Sequence, residues 1–111
     1  MEINTRTVGK ITLIDLHGNL ILRENADELF DKVAGLISGG STHILINLSD
    51  LTRMDSYGIG IIIKSFKTTK TANGQFKLAR PSSFVRQLLT ISGIGTLLEV
   101  FDDETTAVAS F

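Results

Sequence analysis

The spacing of hydrophobic residues changes several times along the 111 residues of this chain, and each change marks a predicted element. Weak alternation over residues 1–8 and an apolar run over Ile11–Gly18 predict two strands, the second of which ends at Gly18. Gly9 and Lys10 between them predict a tight turn. The chain therefore starts with an antiparallel hairpin whose first strand lies at the edge of a sheet.

Hydrophobic residues three and four positions apart predict three amphipathic helices. The first helix starts at Glu24 and ends at Ser38–Gly40, because glycine commonly follows a helix. The second starts just after Ser56 and ends before Asn73. The third follows Pro81. Its predicted buried stripe consists of Phe84, Val85, Leu88 and Leu89.

Further strands are predicted between and after these helices. The nearly continuous apolar run His43–Leu48 is typical of a strand covered on both faces, and residues 49–56 are expected to form the loop after it. Short strands are predicted at Gln75–Ala79 and Leu97–Phe101. The acidic residues 102–104 favour the positively polarised start of a last helix.

The predicted order of elements is β-β-α-β-α-β-α-β-α, with about four helices. Strands that alternate with helices form mostly parallel sheets, so the fold class is α/β with a mixed sheet and one antiparallel pair, the N-terminal hairpin. No repeat or linker interrupts the pattern. We therefore expect one domain over residues 1–111.

The composition excludes several classes of function. The 11 basic and 12 acidic residues leave a net charge of −1, and six Phe, one Tyr and no Trp are too few for a base-stacking surface. No nucleic-acid partner is therefore expected. The chain has no cysteine, which excludes disulfides and thiol catalysis. No apolar stretch resembles a signal peptide or a membrane span, so we expect a cytoplasmic protein without a membrane partner.

The candidate chemistry lies in residues 53–63, "RMDSYGIGIII". This segment lacks the lysine of a Walker loop and the third glycine of a dinucleotide-binding loop. Met54 stands where the nucleophile elbow of serine hydrolases has glycine. His17 and His43 lack metal-ligand spacing, and neither is placed to act as a base for Ser56. We therefore expect no enzyme, no metal and no cofactor.

Two interpretations of Ser56 stay open from the residues alone. In the first, Ser56 is the N-cap of the second helix. For Asp55 the alternatives are that it orients an incoming kinase or that its carboxylate caps the loop. In the second, Ser56 is phosphorylated, which would place up to two negative charges beside the N–H groups of the helix start. Gly58 and Gly60 remove side chains from the first turn, and this would let another protein approach closely.

The segment Leu45–Lys67 resembles the central part of STAS domains, and in particular of bacterial anti-sigma-factor antagonists. In this family a strand leads through Asp-Ser-[Ser/Thr]-Gly-[Leu/Ile]-Gly into a helix, and the serine is the phosphorylation site of the regulatory members. Ile11–Leu20 and residues 79–108 resemble the second strand and the C-terminal third of the family. The resemblance thus covers nearly the whole chain.

The resemblance implies phosphorylation at Ser56. The residues that it implies in partner binding are Asp55, Tyr57, Gly58, Ile59 and Gly60. Tyr57 stands in the place of the family's second hydroxyl, and Ile21 stands near the place of an acidic residue that many members carry.

The implied function is a partner switch. The unphosphorylated antagonist binds an anti-sigma factor with serine-kinase activity, so that a sigma factor is released. Phosphorylation by this kinase breaks the complex, and a serine phosphatase restores it. The chain is then a monomer or a weak dimer. The alternative is a STAS scaffold or sensor module of a larger assembly, without a phosphorylation switch.

Overall fold

The computed structural model of the protein describes residues 1–21 and 23–111. The strands are β1 (Glu2–Val8), β2 (Ile11–Leu20), β3 (His43–Met54), β4 (Gln75–Ala79) and β5 (Val100–Phe101). The α-helices are α1 (Arg23–Ser38), α2 (Ser56–Thr71), α3 (Ser83–Ser92) and α4 (Glu104–Ala109), and a short 3-10 helix covers Ile94–Thr96. The order of these elements confirms the predicted one.

The strands form one mixed sheet in the order β1-β2-β3-β4-β5. β1 pairs with β2 antiparallel, from Glu2 opposite His17 to Val8 opposite Ile11, while the other neighbours are parallel. Gly9 has a φ of 59° in the hairpin turn, a conformation that favours glycine. Both the α/β class and the antiparallel N-terminal hairpin are thereby confirmed.

The two faces of the sheet are covered unequally. The larger core lies between the sheet and α1, α2 and α3, and its members include Leu29, Ile62 and Val85 from the three helices. α4 lies on the other face, where Ala107 packs against residues such as Leu13 and Leu45. Because each helix follows the carboxyl end of a parallel strand, α1, α2 and α3 all begin at the same edge of the sheet.

Two predicted strand ends are wrong. β2 continues past Gly18 to Leu20, and β3 continues through most of the predicted loop to Met54. The two extensions pair with each other, Gly18 with Leu51 and Leu20 with Met54. The register shifts twice along this pair, and Gly18 takes a φ of 102°. Such irregularities break the alternation of polar and apolar residues from which a strand is recognised.

Two further predictions near the C-terminus are wrong in part. Val85 and Leu89 of α3 are buried, whereas Phe84 is 51% exposed. Neighbouring positions on a helix differ by about 100°, so a stripe built on Val85 and Leu89 turns Phe84 towards solvent. The last strand is only Val100–Phe101, because the 3-10 helix turns the chain before it.

A charged network ties α4 to the hairpin. The guanidinium of Arg6 on β1 donates to both carboxylate oxygens of Asp15 on β2, at 2.7 and 3.1 Å, and also pairs with Glu104 at the start of α4. The side chain of Asn47 donates to Asp15 at 2.7 Å. Arg6 lowers the pKa of Asp15 and of Glu104, and these carboxylates raise the pKa of Arg6.

None of the helices in the described residues is long and apolar enough to cross a membrane.

Candidate functional site

The site lies at the sheet edge where β2 and β3 end and where α1 and α2 begin. Ser56 is the first residue of α2 and follows Met54, the last residue of β3, after only one residue. Met54 is buried, whereas Ser56 is exposed. A buried strand end therefore anchors the backbone directly before an accessible hydroxyl.

Asp55 is the N-cap of α2. Its backbone is extended, with φ −116° and ψ −175°, and its carboxylate accepts a hydrogen bond from the backbone N–H of Gly58 at 2.8 Å. The expectation that Ser56 caps the helix is wrong, because Asp55 takes this position. A carboxylate fills this position well because it satisfies a free N–H and favours the positive helix end.

The two glycines of the motif lie in different surroundings. Gly58 is buried, and a Cβ atom there would collide with the carbonyl oxygen of Leu20 and contact the side chains of Leu20 and Met54. Gly58 is thus required by packing inside the domain, and the expectation that it opens the surface is wrong. Gly60 is exposed, and a Cβ atom there would face open space.

Tyr57 links the starts of the two helices. Its side chain is 37% exposed, and its hydroxyl donates a hydrogen bond of 2.6 Å to Oδ1 of Asp27 on α1. The hydrogen bond to this carboxylate raises the pKa of Tyr57 above its ordinary value. The guanidinium carbon of Arg23 lies 6.0 Å from the centroid of the Tyr57 ring. Ile59 is half-buried and packs against the larger core.

The surface around Ser56 has an uneven charge. The first turn of α2 carries no acidic residue, and the partial positive charge of the helix start lies beside the hydroxyl. Asp55 precedes Ser56 in the chain, and Asp27 contacts the neighbouring Tyr57. A phosphate on Ser56 would therefore lie at the positive end of the helix, with Asp55 before it in the chain and Asp27 in contact with the residue after it.

The two histidines lie away from this site. Nδ1 of His17 is 3.0 Å from a carboxylate oxygen of Asp50, and His43 begins β3 at the opposite end from Met54. The ring of His43 lies 6.4 Å from that of Phe111. Within the described part of the chain, no group of three acidic or histidine side chains is arranged to hold a metal ion.

The sequence as a whole matches a known family. Residues 2–107 fit the family described as the STAS domain. The chain belongs to this family. The STAS chain is 30% identical over 87 residues to the anti-sigma-B factor antagonist of Bacillus subtilis. The aligned segment covers 78% of this chain and 72% of that relative. It is 26% identical over 95 residues to the anti-sigma F factor antagonist of Paenibacillus polymyxa, covering 86% of this chain and 76% of that one.

The solved structures agree with this assignment. The Bacillus cell fate determinant SpoIIAA in the phosphorylated form matches with a TM-score of 0.74 at 22% identity, over 98% of each chain. At this identity the likeness shows the STAS fold alone. The names of both sequence relatives describe regulators of anti-sigma factors rather than enzymes. The resemblance found in the residues is thereby confirmed at the level of the family.

The structure brings two residues to the site that the sequence pattern did not single out, Arg23 and Asp27. They lie on α1, far from Tyr57 in the chain, and nothing in their local pattern distinguishes them from other charged residues of an amphipathic helix. The one available signal was the predicted alternation of strands and helices, because parallel strands bring the starts of the helices that follow them to one edge of the sheet.

Proposed function

We propose that this STAS protein is an anti-sigma-factor antagonist that is switched off by phosphorylation of Ser56. In the unphosphorylated state it binds an anti-sigma factor with serine-kinase activity, through the surface formed by Asp55, Tyr57, Ile59 and Gly60 around Ser56. Gly58 serves this surface indirectly, since its lack of a side chain lets α2 pack against Leu20. Binding of the anti-sigma factor releases a sigma factor.

The observation that carries the proposal is the position of the Ser56 hydroxyl. It is exposed at the start of α2, and Asp55 rather than Ser56 serves as the cap. Modification of Ser56 therefore leaves the capping hydrogen bond to Gly58 intact and changes the charge of the surface without unfolding the helix. The names of the sequence relatives support the choice of an anti-sigma factor as the partner.

The switch follows from electrostatics. A phosphoserine carries a charge of about −1.5 to −2 at neutral pH. Buried in an interface beside Asp55, this charge adds like-charge repulsion and a desolvation penalty to the complex. If the two effects reach ~3 kcal/mol, the affinity falls roughly a hundredfold. A serine phosphatase then resets the protein, and the cycle takes place in the cytoplasm, where kinase, phosphatase and sigma factor meet.

The proposal is tested with the cognate anti-sigma kinase. Incubation with the kinase and ATP is expected to add one phosphate, which mass spectrometry of the peptides locates at Ser56. Calorimetry is expected to find tight binding for the wild type and for Ser56→Ala, and binding weakened roughly a hundredfold for Ser56→Asp.

Ser83 offers a matched control. It is an exposed serine at the first position of α3, and Ser82 caps that helix as Asp55 caps α2. Ser83→Asp introduces the same charge at an equivalent helix position and is expected to keep wild-type affinity. Phosphate at another residue, or tight binding by Ser56→Asp, contradicts the proposal. A stable homo-oligomer without affinity for the kinase would favour the scaffold alternative.

A further inference from the structure

We propose that Asp27 of α1 is a positioning residue for partner recognition, because it holds the Tyr57 ring in place beside Ser56. The first two turns of α1 then belong to the partner-binding surface together with the start of α2. This inference rests on the proposed function. It adds two residues to the surface, Asp27 and Arg23, and a specific role for the hydroxyl of Tyr57.

The geometry limits the Tyr57 ring from two sides. The hydroxyl donates to Oδ1 of Asp27 at 2.6 Å, and a hydrogen bond to an ionised acceptor is stronger than one between neutral groups. The guanidinium of Arg23 lies over the ring at 6.0 Å, a distance at which a cation is attracted to the face of an aromatic ring. Both partners lie on α1, one turn apart.

The held ring fits the chemistry of a binding anchor. Tyrosine is enriched among the residues that dominate binding energy at protein interfaces, and Tyr57 is 37% exposed directly after Ser56. An exposed side chain loses rotamer freedom when a partner immobilises it, and this loss weakens binding. Since Asp27 already restricts Tyr57 in the free protein, part of that loss is removed before the partner arrives.

The same contact gives α1 a part in the phosphorylation switch. A phosphate on Ser56 adds negative charge next to the hydrogen bond between Tyr57 and Asp27, whose acceptor is itself negative. Arg23 is the cation that faces the Tyr57 ring. The charge of the phosphate attracts this same cation. Phosphorylation is therefore expected to loosen the ring as well as to add charge to the surface.

The contact itself can be measured without any partner. The chain has one tyrosine and no tryptophan, so its phenolate absorbance reports on Tyr57 alone. The carboxylate of Asp27 raises the pKa of Tyr57, so Asp27→Ala is expected to lower the midpoint of an absorbance titration towards the ordinary value of about 10. Asp31→Ala is the control, because Asp31 is an exposed acid one turn further along α1. Equal midpoints for the wild type and Asp27→Ala would overturn the inference.

The role in recognition is measured with the kinase partner as a double-mutant cycle. Asp27→Ala and Tyr57→Phe are each expected to weaken binding by about three- to tenfold, mainly through faster dissociation. The double variant is expected to bind about as tightly as each single variant, because the two substitutions remove the same hydrogen bond. Asp27→Asn retains an acceptor oxygen and is expected to recover part of the affinity, and Asp31→Ala to bind as the wild type does.

The outcomes separate this inference from the proposed function. If Asp27→Ala binds the kinase as tightly as the wild type does, the inference is overturned and the switch at Ser56 still stands. Additive losses in the double variant also overturn it, since they would mean that the two side chains act independently. A wild type that neither binds the kinase nor is phosphorylated overturns both.

Discussion

The carboxylate of Asp55 accepts a hydrogen bond of 2.8 Å from the backbone N–H of Gly58, and this contact starts α2. Asp55 and Ser56 are neighbours with separate tasks: the aspartate holds the helix, while the serine stays exposed. A modified serine and a stable helix start are therefore compatible within one short stretch of chain.

This division of tasks predicts unequal effects on stability. Asp55→Ala removes the cap and is expected to lower the free energy of unfolding by about 1 kcal/mol. Ser56→Ala is expected to change it by less than about 0.5 kcal/mol, since the serine is exposed and is not the cap. Urea denaturation followed by circular dichroism measures both. A larger loss for Ser56→Ala than for Asp55→Ala would contradict the assignment of the cap.

The two glycines of α2 provide a matched pair. Gly58→Ala places a methyl group against the backbone oxygen of Leu20, which cannot move aside as a side chain can, and is expected to destabilise by about 1–3 kcal/mol. Gly60→Ala faces open space and is expected to stabilise by about 0.5–1 kcal/mol, because alanine favours a helix over glycine. Thermal unfolding distinguishes the two, and equal shifts of Tm would contradict the packing at Leu20.

Stability is expected to fall in acid through the network of Arg6. Arg6 holds the pKa values of Asp15 and Glu104 below their ordinary values of about 3.9 and 4.3. In the unfolded chain these groups bind protons more readily, so the network stabilises the fold fully above about pH 5. That contribution is lost as the pH falls through the lower pKa values of the folded state.

Arg6→Gln tests this dependence. It is expected to lower the free energy of unfolding by about 1 kcal/mol at pH 7. The free energy of unfolding of this variant is also expected to fall less steeply than that of the wild type as the pH is lowered. Arg86→Gln is the control, since Arg86 pairs with the highly exposed Asp102, and such pairs contribute little. Urea titrations at several pH values between about 2 and 7, the range in which carboxylates titrate, measure both variants. Parallel profiles for Arg6→Gln and the wild type would contradict the prediction.

The third helix offers a test of which face is buried. Leu89 is 3% exposed, and Leu89→Ala is expected to destabilise by about 2–5 kcal/mol. Phe84 is 51% exposed, and Phe84→Ser is expected to cost less than about 1 kcal/mol and to improve solubility. A loss of stability for Phe84→Ser as large as that for Leu89→Ala would mean that Phe84 is buried, as the hydrophobic pattern alone had predicted.

The sequence by itself determined the order of elements, the parallel sheet with its antiparallel hairpin, and the family. These follow from periodic burial and from local chemistry: the three-to-four spacing of α1, the apolar run of β3 and the motif around Ser56 each lie within a short stretch of chain. Local patterns of this kind predict the folded structure correctly because residues close together in the chain lie in the same helix or strand.

Only the tertiary structure decided what depends on contacts between distant segments. The extension of β3 to Met54 needs its pairing with Leu20 across an irregular register, and the burial of Gly58 needs the same end of β2. The hydrogen bond from Tyr57 to Asp27 joins helices that meet only because β2 and β3 are neighbours in the sheet. Such contacts have no periodic trace in the sequence, since each is set by the packing of two elements rather than by the pattern within one.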